Sequence, residues 1–110
     1  MNQIPKALWL ARLRDPNAKQ ARGRLREGDS MCCLGHACDV SGVGEWKDDS
    51  YSGIADVLPC AVSDWLGMDS LRGVFRYLEH GLSSHLADLN DNGLTLSQIA
   101  DVIEYFADEL

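Results

Sequence analysis

The chain has 110 residues, which fits a single domain over residues 1–110, and its 45% apolar content is enough for one small core. No apolar run approaches the roughly 20 residues of a membrane-spanning helix. The opening Met1-Asn2-Gln3-Ile4-Pro5-Lys6 also lacks the apolar segment of a secretory signal, so no membrane partner and a cytoplasmic location are expected. The net charge of −7 is laid unevenly: through Arg26 seven basic residues oppose Asp15 alone, and beyond it Lys47, Arg72 and Arg76 face sixteen acids.

Such asymmetry has two explanations. The basic segment either packs beside the acidic body and neutralises it, or forms a nucleic-acid arm. The overall acidic balance disfavours duplex DNA as the main partner, because phosphate contacts dominate such affinities. It suits a protein partner with a basic surface.

In chain order, the sequence predicts a helix over Pro5 to Arg14, with proline near its start. Leu8, Ala11 and Trp9 supply its apolar face, and Asp15-Pro16-Asn17 breaks it. Gln20 to Leu25 reads as a short strand and Glu27-Gly28-Asp29-Ser30 as a turn. Ser30 is placed to cap a helix over Cys32 to Val40, which Ser41-Gly42-Val43-Gly44 ends. Residues 45 to 58 read as a loop or irregular hairpin anchored by Trp46 and Tyr51. Pro59 opens a short helix through Leu66, stopped by Gly67. Leu71 to Leu78 fits strand and helix equally, His80-Gly81 turns the chain, and Ser83 is placed to cap a helix through Leu89.

The final helix has the clearest signature. Thr95 and Gln98 form a capping box, Leu94 and Ile99 a hydrophobic staple, and Ile99, Val102, Ile103 and Phe106 a core-facing stripe. Together these elements predict a compact, mainly helical α+β domain with a minor strand component.

The densest concentration of reactive groups is Cys32, Cys33, His36 and Cys38. Cys32 and His36, four residues apart, share a helix face. A closed zinc site needs four ligands, and Cys60, His80 and His85 complete one only if the fold brings them in. Cysteines also serve as small buried hydrophobes. On that basis Cys33 and Ala37 face inward with Val40, His36 sits at an edge, and the thiols are free. No metal and no cofactor are expected. A nucleophilic thiol needs a positioned base and an oxyanion hole, neither of which the sequence spells out, so no catalytic residues are assigned.

Asp88-Leu89-Asn90-Asp91-Asn92-Gly93 imitates the start of a calcium loop. The twelfth position requires a bidentate acid, and here it is Ile99. Asp101, Glu104 and Asp108, with Glu109 adjacent, lie opposite the apolar stripe of the last helix. Like charges at these spacings, and acids near a helix C-terminus, are mildly unfavourable. A basic partner relieves that strain, so Asp101, Glu104, Asp108 and Glu109 are the expected partner-binding residues.

Two motifs, Cys32-Cys33-Leu34-Gly35-x-x-Cys38-Asp39 and Leu89-Asn90-Asp91-x-Gly93-x-Thr95 continuing through Ile99-Ala100-Asp101-x-Ile103-Glu104, occur with Leu58-Pro59 and Trp65-Leu66-Gly67 between them. The combination resembles a family of small phage and prophage proteins. The opening helix and Gln20-x-x-Gly23-x-Leu25 fit it as well, and the match is poorest over residues 42–57 and 68–82. At His36 this chain departs from the family pattern, where an apolar residue is usual. The resemblance implies a phage genome and no established activity.

The expected function is that of a non-enzymatic, acidic phage accessory protein in a bacterial host. It would bind a host protein with a basic surface and inhibit a defence nuclease, as anti-CRISPR proteins do, or another nucleic-acid-binding machine. The alternative is a small zinc- or nucleic-acid-binding module using the cysteine cluster and the basic N-terminal segment, with Arg22, Arg24 and Arg26 as the residues whose mutation would test nucleic-acid binding. Sequestration of a small ligand is a third class.

Overall fold

The structure, a computed structural model, describes residues 1–77 and 82–110, with the side chains of 76, 77, 82 and 83 outside the description. It is mainly helical with short antiparallel strand pairs, as the sequence predicts. The expected turn at His80-Gly81 and the residue Leu78 lie outside the described residues.

Helix α1 spans Gln3–Leu13, starting two residues before the expected boundary. Pro5 is accommodated because its first-turn position has no intrahelical acceptor to bond; the first helical hydrogen bond is Lys6 N–H to Asn2 O at 3.0 Å. Its inward face is Trp9, Leu10 and Leu13. Leu8 and Ala11, expected to point inward, are exposed instead. Both faces of this helix carry apolar residues, and the larger Trp9 with Leu10 and Leu13 takes the core.

Between α1 and the next helix the chain makes a two-residue hairpin, β1 (Arg26–Glu27) with β2 (Ser30–Met31), around the expected turn. The strand expected over Gln20 to Leu25 is reduced to one bridge between Gln20 and Met31.

Helix α2, Cys33–Ser41, is the centre of the molecule and packs on α1 and on two helices that follow. Cys33 through Cys38 are all buried while Asp39 is exposed, so the first six residues of this helix lie in the interior, unlike those of an amphipathic surface helix. That corrects two expectations: His36 is 2% exposed and not at an edge, and Val40 is only partly buried. The helix is capped by Cys32, not Ser30. The Cys32 Sγ accepts from Gly35 N–H at 3.3 Å, occupying the place an Asp or Ser oxygen usually takes. Gly42, at φ +63°, ends the helix in the left-handed conformation that glycine favours.

A second hairpin, β3 (Trp46–Lys47) and β4 (Ser50–Tyr51), follows. Helix α3, Cys60–Leu66, ends at Gly67 as expected. The ambiguous segment resolves as β5, Val74–Tyr77, paired antiparallel with β6, Leu82–His85. Helix α4, Leu86–Asp91, is capped by His85 and not by Ser83, which lies in β6; the His85 Nδ1 accepts from Asp88 N–H at 3.2 Å. Helix α5, Leu96–Tyr105, begins with the predicted capping box in both directions: Gln98 N–H to Thr95 Oγ1 at 3.1 Å, and Thr95 N–H to Gln98 Oε1 at 2.9 Å. Ile99 and Ile103 are fully buried, while Val102 and Phe106 are partly so. A short 3-10 turn, Ala107–Glu109, follows.

Candidate functional site

Asn90 joins the two sequence motifs. It is fully buried near the end of α4. Its Oδ1 accepts from Cys33 N–H at 3.1 Å and from Gln20 Nε2 at 2.9 Å, and its Nδ2 donates to Ala21 O at 2.8 Å. One side chain thereby satisfies an otherwise unpaired amide at the start of α2 and ties down the segment before β1. Next to it, Asp91 Oδ1 accepts from Gly23 N–H at 2.7 Å, and Arg22 donates to Asn90 O. Of the oxygens that resemble calcium ligands in sequence, Asn90 Oδ1 is therefore turned into the core and the Asp88 carboxylate pairs with His85 at 3.1 Å.

The glycine of the first motif is equally constrained. A Cβ on Gly35 would lie 2.0 Å from the Leu25 carbonyl oxygen, far inside any permitted contact. The same carbonyl accepts from Cys32 N–H at 3.0 Å. The backbone before β1 thus lies directly on α2, and only glycine fits there. Trp9 Nε1 donates to Cys33 O at 2.8 Å, fixing α1 to the same turn.

The thiols are free and, except for Cys60, buried. Burial pushes Cys32 up to about 11 and Cys38 up to about 12, and drives Cys33 well above the ordinary 9.0. All three are protonated at neutral pH, which is unfavourable for a nucleophile or a metal ligand. Among the described residues no group of three or more His, Cys, Asp or Glu side chains is placed to hold a metal ion. The arrangement suits apolar packing: Cys33, Ala37 and Cys38 belong to the same core cluster as Trp9, Leu25 and Leu34.

His36 is held by a hydrogen bond between Nε2 and Lys19 O at 2.8 Å. A carbonyl only accepts, so Nε2 carries the proton, and the buried Nδ1 has no hydrogen-bond partner among the described residues. Burial lowers its pKa below 6.5; the nearby Arg12 charge acts in the same direction, while the Lys19 carbonyl and Asp39 oppose it. His36 borders an open groove of about 260 Å³ lined also by Arg12, Asp15, Lys19, Asp29 and Met31.

Among the basic residues, Arg12 pairs with Asp39 at 2.6 Å. Asp39 also accepts from Trp46 Nε1 at 3.1 Å. Burial alone would raise the Asp39 pKa, but the Arg12 and Trp46 hydrogen bonds outweigh it and hold the carboxyl below its usual 3.8. Arg26 lies over the Trp46 ring at 5.2 Å and donates to Gly28 O. Of the arginines that would test a nucleic-acid arm, Arg22 and Arg26 are thus engaged within the chain, and Arg24 is exposed.

The acidic residues expected to bind a partner do not form one set. Asp101 and Glu104 lie together on α5, with side chains 73% and 59% exposed. Asp108 and Glu109 lie beyond the end of α5, in the 3-10 turn, so the shared helical face expected for Asp108 does not continue to it. Arg14, at the end of α1, donates to Asp101 Oδ1 and Glu104 Oε2, each at 2.9 Å. This contact was missed in the sequence because it joins residues more than eighty positions apart. The like-charge strain argued for α5 is thereby already eased within the chain. Two carboxylates nevertheless share one guanidinium, and the pair of hydrogen bonds, to Glu104 first and then Asp101, raises the Arg14 pKa.

Beside this cluster lies a surface the sequence misassigned. Ile4 is 76% and Leu8 49% exposed, and Ala7 and Ala11 are exposed with them. Their i, i+3, i+4, i+7 spacing places all four on the outward face of α1.

No helix among the described residues is long and apolar enough to cross a membrane. No curated protein and no solved structure matches the chain. A family model described as a domain of unknown function (DUF8296) matches residues 1–107, and the chain belongs to that family.

Proposed function

We propose that this protein is a non-enzymatic binding module of phage origin, acting inside a bacterial host by offering the negative surface of α5 to a basic surface on a host protein. The observation that carries this reading is the arrangement at Arg14: Asp101 and Glu104 are largely exposed yet share a single guanidinium, so a negative charge is left for a partner cation. Support for a non-catalytic role comes from the chemistry of the motif residues. Cys32 caps a helix, Cys33 and Cys38 pack in the core, and Asn90 and Asp91 bind backbone groups. The remaining step, that the partner belongs to a host nucleic-acid-binding machine such as a defence nuclease whose own basic groove the carboxylates would occupy, is an analogy with small acidic phage proteins that disable host systems.

The test is affinity capture from host lysate with the wild-type chain and with Asp101→Asn/Glu104→Gln in parallel. A host protein retained by the wild type, released by moderate salt and lost from the equally folded variant is the expected result. Identical captured sets for the two chains would remove this mechanism.

A further inference from the structure

The apolar outward face of α1 continues into the Arg14 cluster. Ala7, Ala11 and Arg14 follow i, i+4, i+7 spacing and therefore lie along one line of the helix. Ile4 and Leu8 project beside that line. At the end of the line Arg14 meets Asp101 and Glu104 of α5, at 2.9 Å each. The result is one surface with an apolar stretch about two turns long and a net negative end. Scattered exposed apolar residues need no explanation, but a whole helix face of them marks an interaction site.

From this we infer that α1 docks an amphipathic helix of a partner protein, one whose apolar stripe ends in a cluster of Lys or Arg. The inference rests on the acidic surface proposed above and adds the partner's form to it. A helix suits the site because an apolar strip of i, i+3, i+4, i+7 geometry is matched by the same spacing on a partner helix. The cations are called for by Asp101 and Glu104, which share one arginine. A second copy of this chain is a poor occupant: each copy carries −7, and such charge opposes self-association.

The experiment uses the full chain and a synthetic helical peptide about five turns long, with leucines along one face and lysines clustered at one end. A control peptide carries Glu in place of Lys. Binding is followed by fluorescence anisotropy across a salt series, and the folding of each variant by thermal melting. The lysine peptide should bind and the glutamate peptide should not. Ile4→Ser/Leu8→Ser should weaken binding roughly tenfold or more while leaving the melting temperature nearly unchanged, since both side chains are exposed. Asp101→Asn/Glu104→Gln should weaken binding and flatten its salt dependence.

Unchanged affinity in Ile4→Ser/Leu8→Ser overturns the docking face, and the acidic-surface reading survives if the charge variant still weakens binding. Affinity lost with the serine variant but untouched by the charge variant overturns the cationic occupant and the acidic-surface reading together. Concentration-dependent dimerisation in sedimentation, abolished by Leu8→Ser, would show that a second copy covers α1 and overturn the inference.

Discussion

Replacing Asn90 with alanine should strongly destabilise this domain, although the residue touches no candidate binding surface. The side chain is fully buried and pairs with Cys33 N–H, Ala21 O and Gln20 Nε2. Cys33 and Ala21 are themselves buried, at 0% and 4% exposure, so water does not readily take over the lost bonds. Leaving a buried backbone donor or acceptor unsatisfied costs about 1–3 kcal/mol each. Two such groups and the lost packing bring the expected loss to about 3–5 kcal/mol, a large share of the roughly 5–15 kcal/mol that holds a domain of this size. The control is Asp91→Asn. It keeps a side-chain oxygen for Gly23 N–H at a more exposed position and should cost less than about 1 kcal/mol. Urea unfolding followed by circular dichroism measures both. An Asn90→Ala loss no greater than that of Asp91→Asn would refute the claim that Asn90 is the tie between the two motifs.

Three further outcomes follow from the same structure. Gly35→Ala forces a Cβ to within 2.0 Å of a backbone oxygen, so the α2 helix or the Leu25 segment must move; a loss of about 3 kcal/mol or more is expected in chemical denaturation. His36 has a folded pKa below its unfolded 6.5, so its neutral form contributes stability that is complete above pH 6.5 and is lost as pH falls through 6.5 toward the lowered folded value. A proton NMR titration should place its midpoint below 6.5, and a midpoint above that value would contradict the burial assigned to it. Asp101→Asn/Glu104→Gln removes an exposed bridge and should leave stability nearly unchanged; a clear drop in the thermal or urea midpoint would make the Arg14 cluster a structural clamp.

Legibility in the sequence followed the range of the interactions. The α5 capping box was readable because Thr95 and Gln98 are three residues apart, and the helix ends at Gly42 and Gly67 because a left-handed terminus is a local demand. The caps of α2 and α4 were misplaced because Cys32 and His85 are unusual in that role, while Ser30 and Ser83 nearby are ordinary candidates. Face assignment failed on α1, where Leu8 and Ala11 compete with Trp9, Leu10 and Leu13; spacing alone does not say which set faces the core when both are apolar. An inward face of Cys33, Ala37 and Val40 puts His36 at an edge, yet the first six residues of α2 are all buried and His36 goes into the interior with them.

At the candidate site, the acidity of Asp101 and Glu104 was legible and the Arg14 contact was not, since nothing local links α1 to α5. Asp108 was grouped with them by extending helical geometry past Tyr105, where the chain tightens into a 3-10 turn. The motif residues illustrate the same division. Their clustering was visible in the sequence, but the reason for it, an asparagine reaching across to the first turn of α2, belongs to the tertiary structure.

The interior placement of the thiols is the claim on which the scaffold reading depends, and timed thiol labelling of the native chain with mass-spectrometric site assignment tests it most directly. Cys60, the exposed cysteine, should be modified promptly at neutral pH, while Cys32, Cys33 and Cys38 should resist until denaturant unfolds the domain. Labelling of Cys32, Cys33 or Cys38 in the folded protein at a rate matching Cys60 would contradict the account, because a thiol that is both accessible and reactive is not packing material.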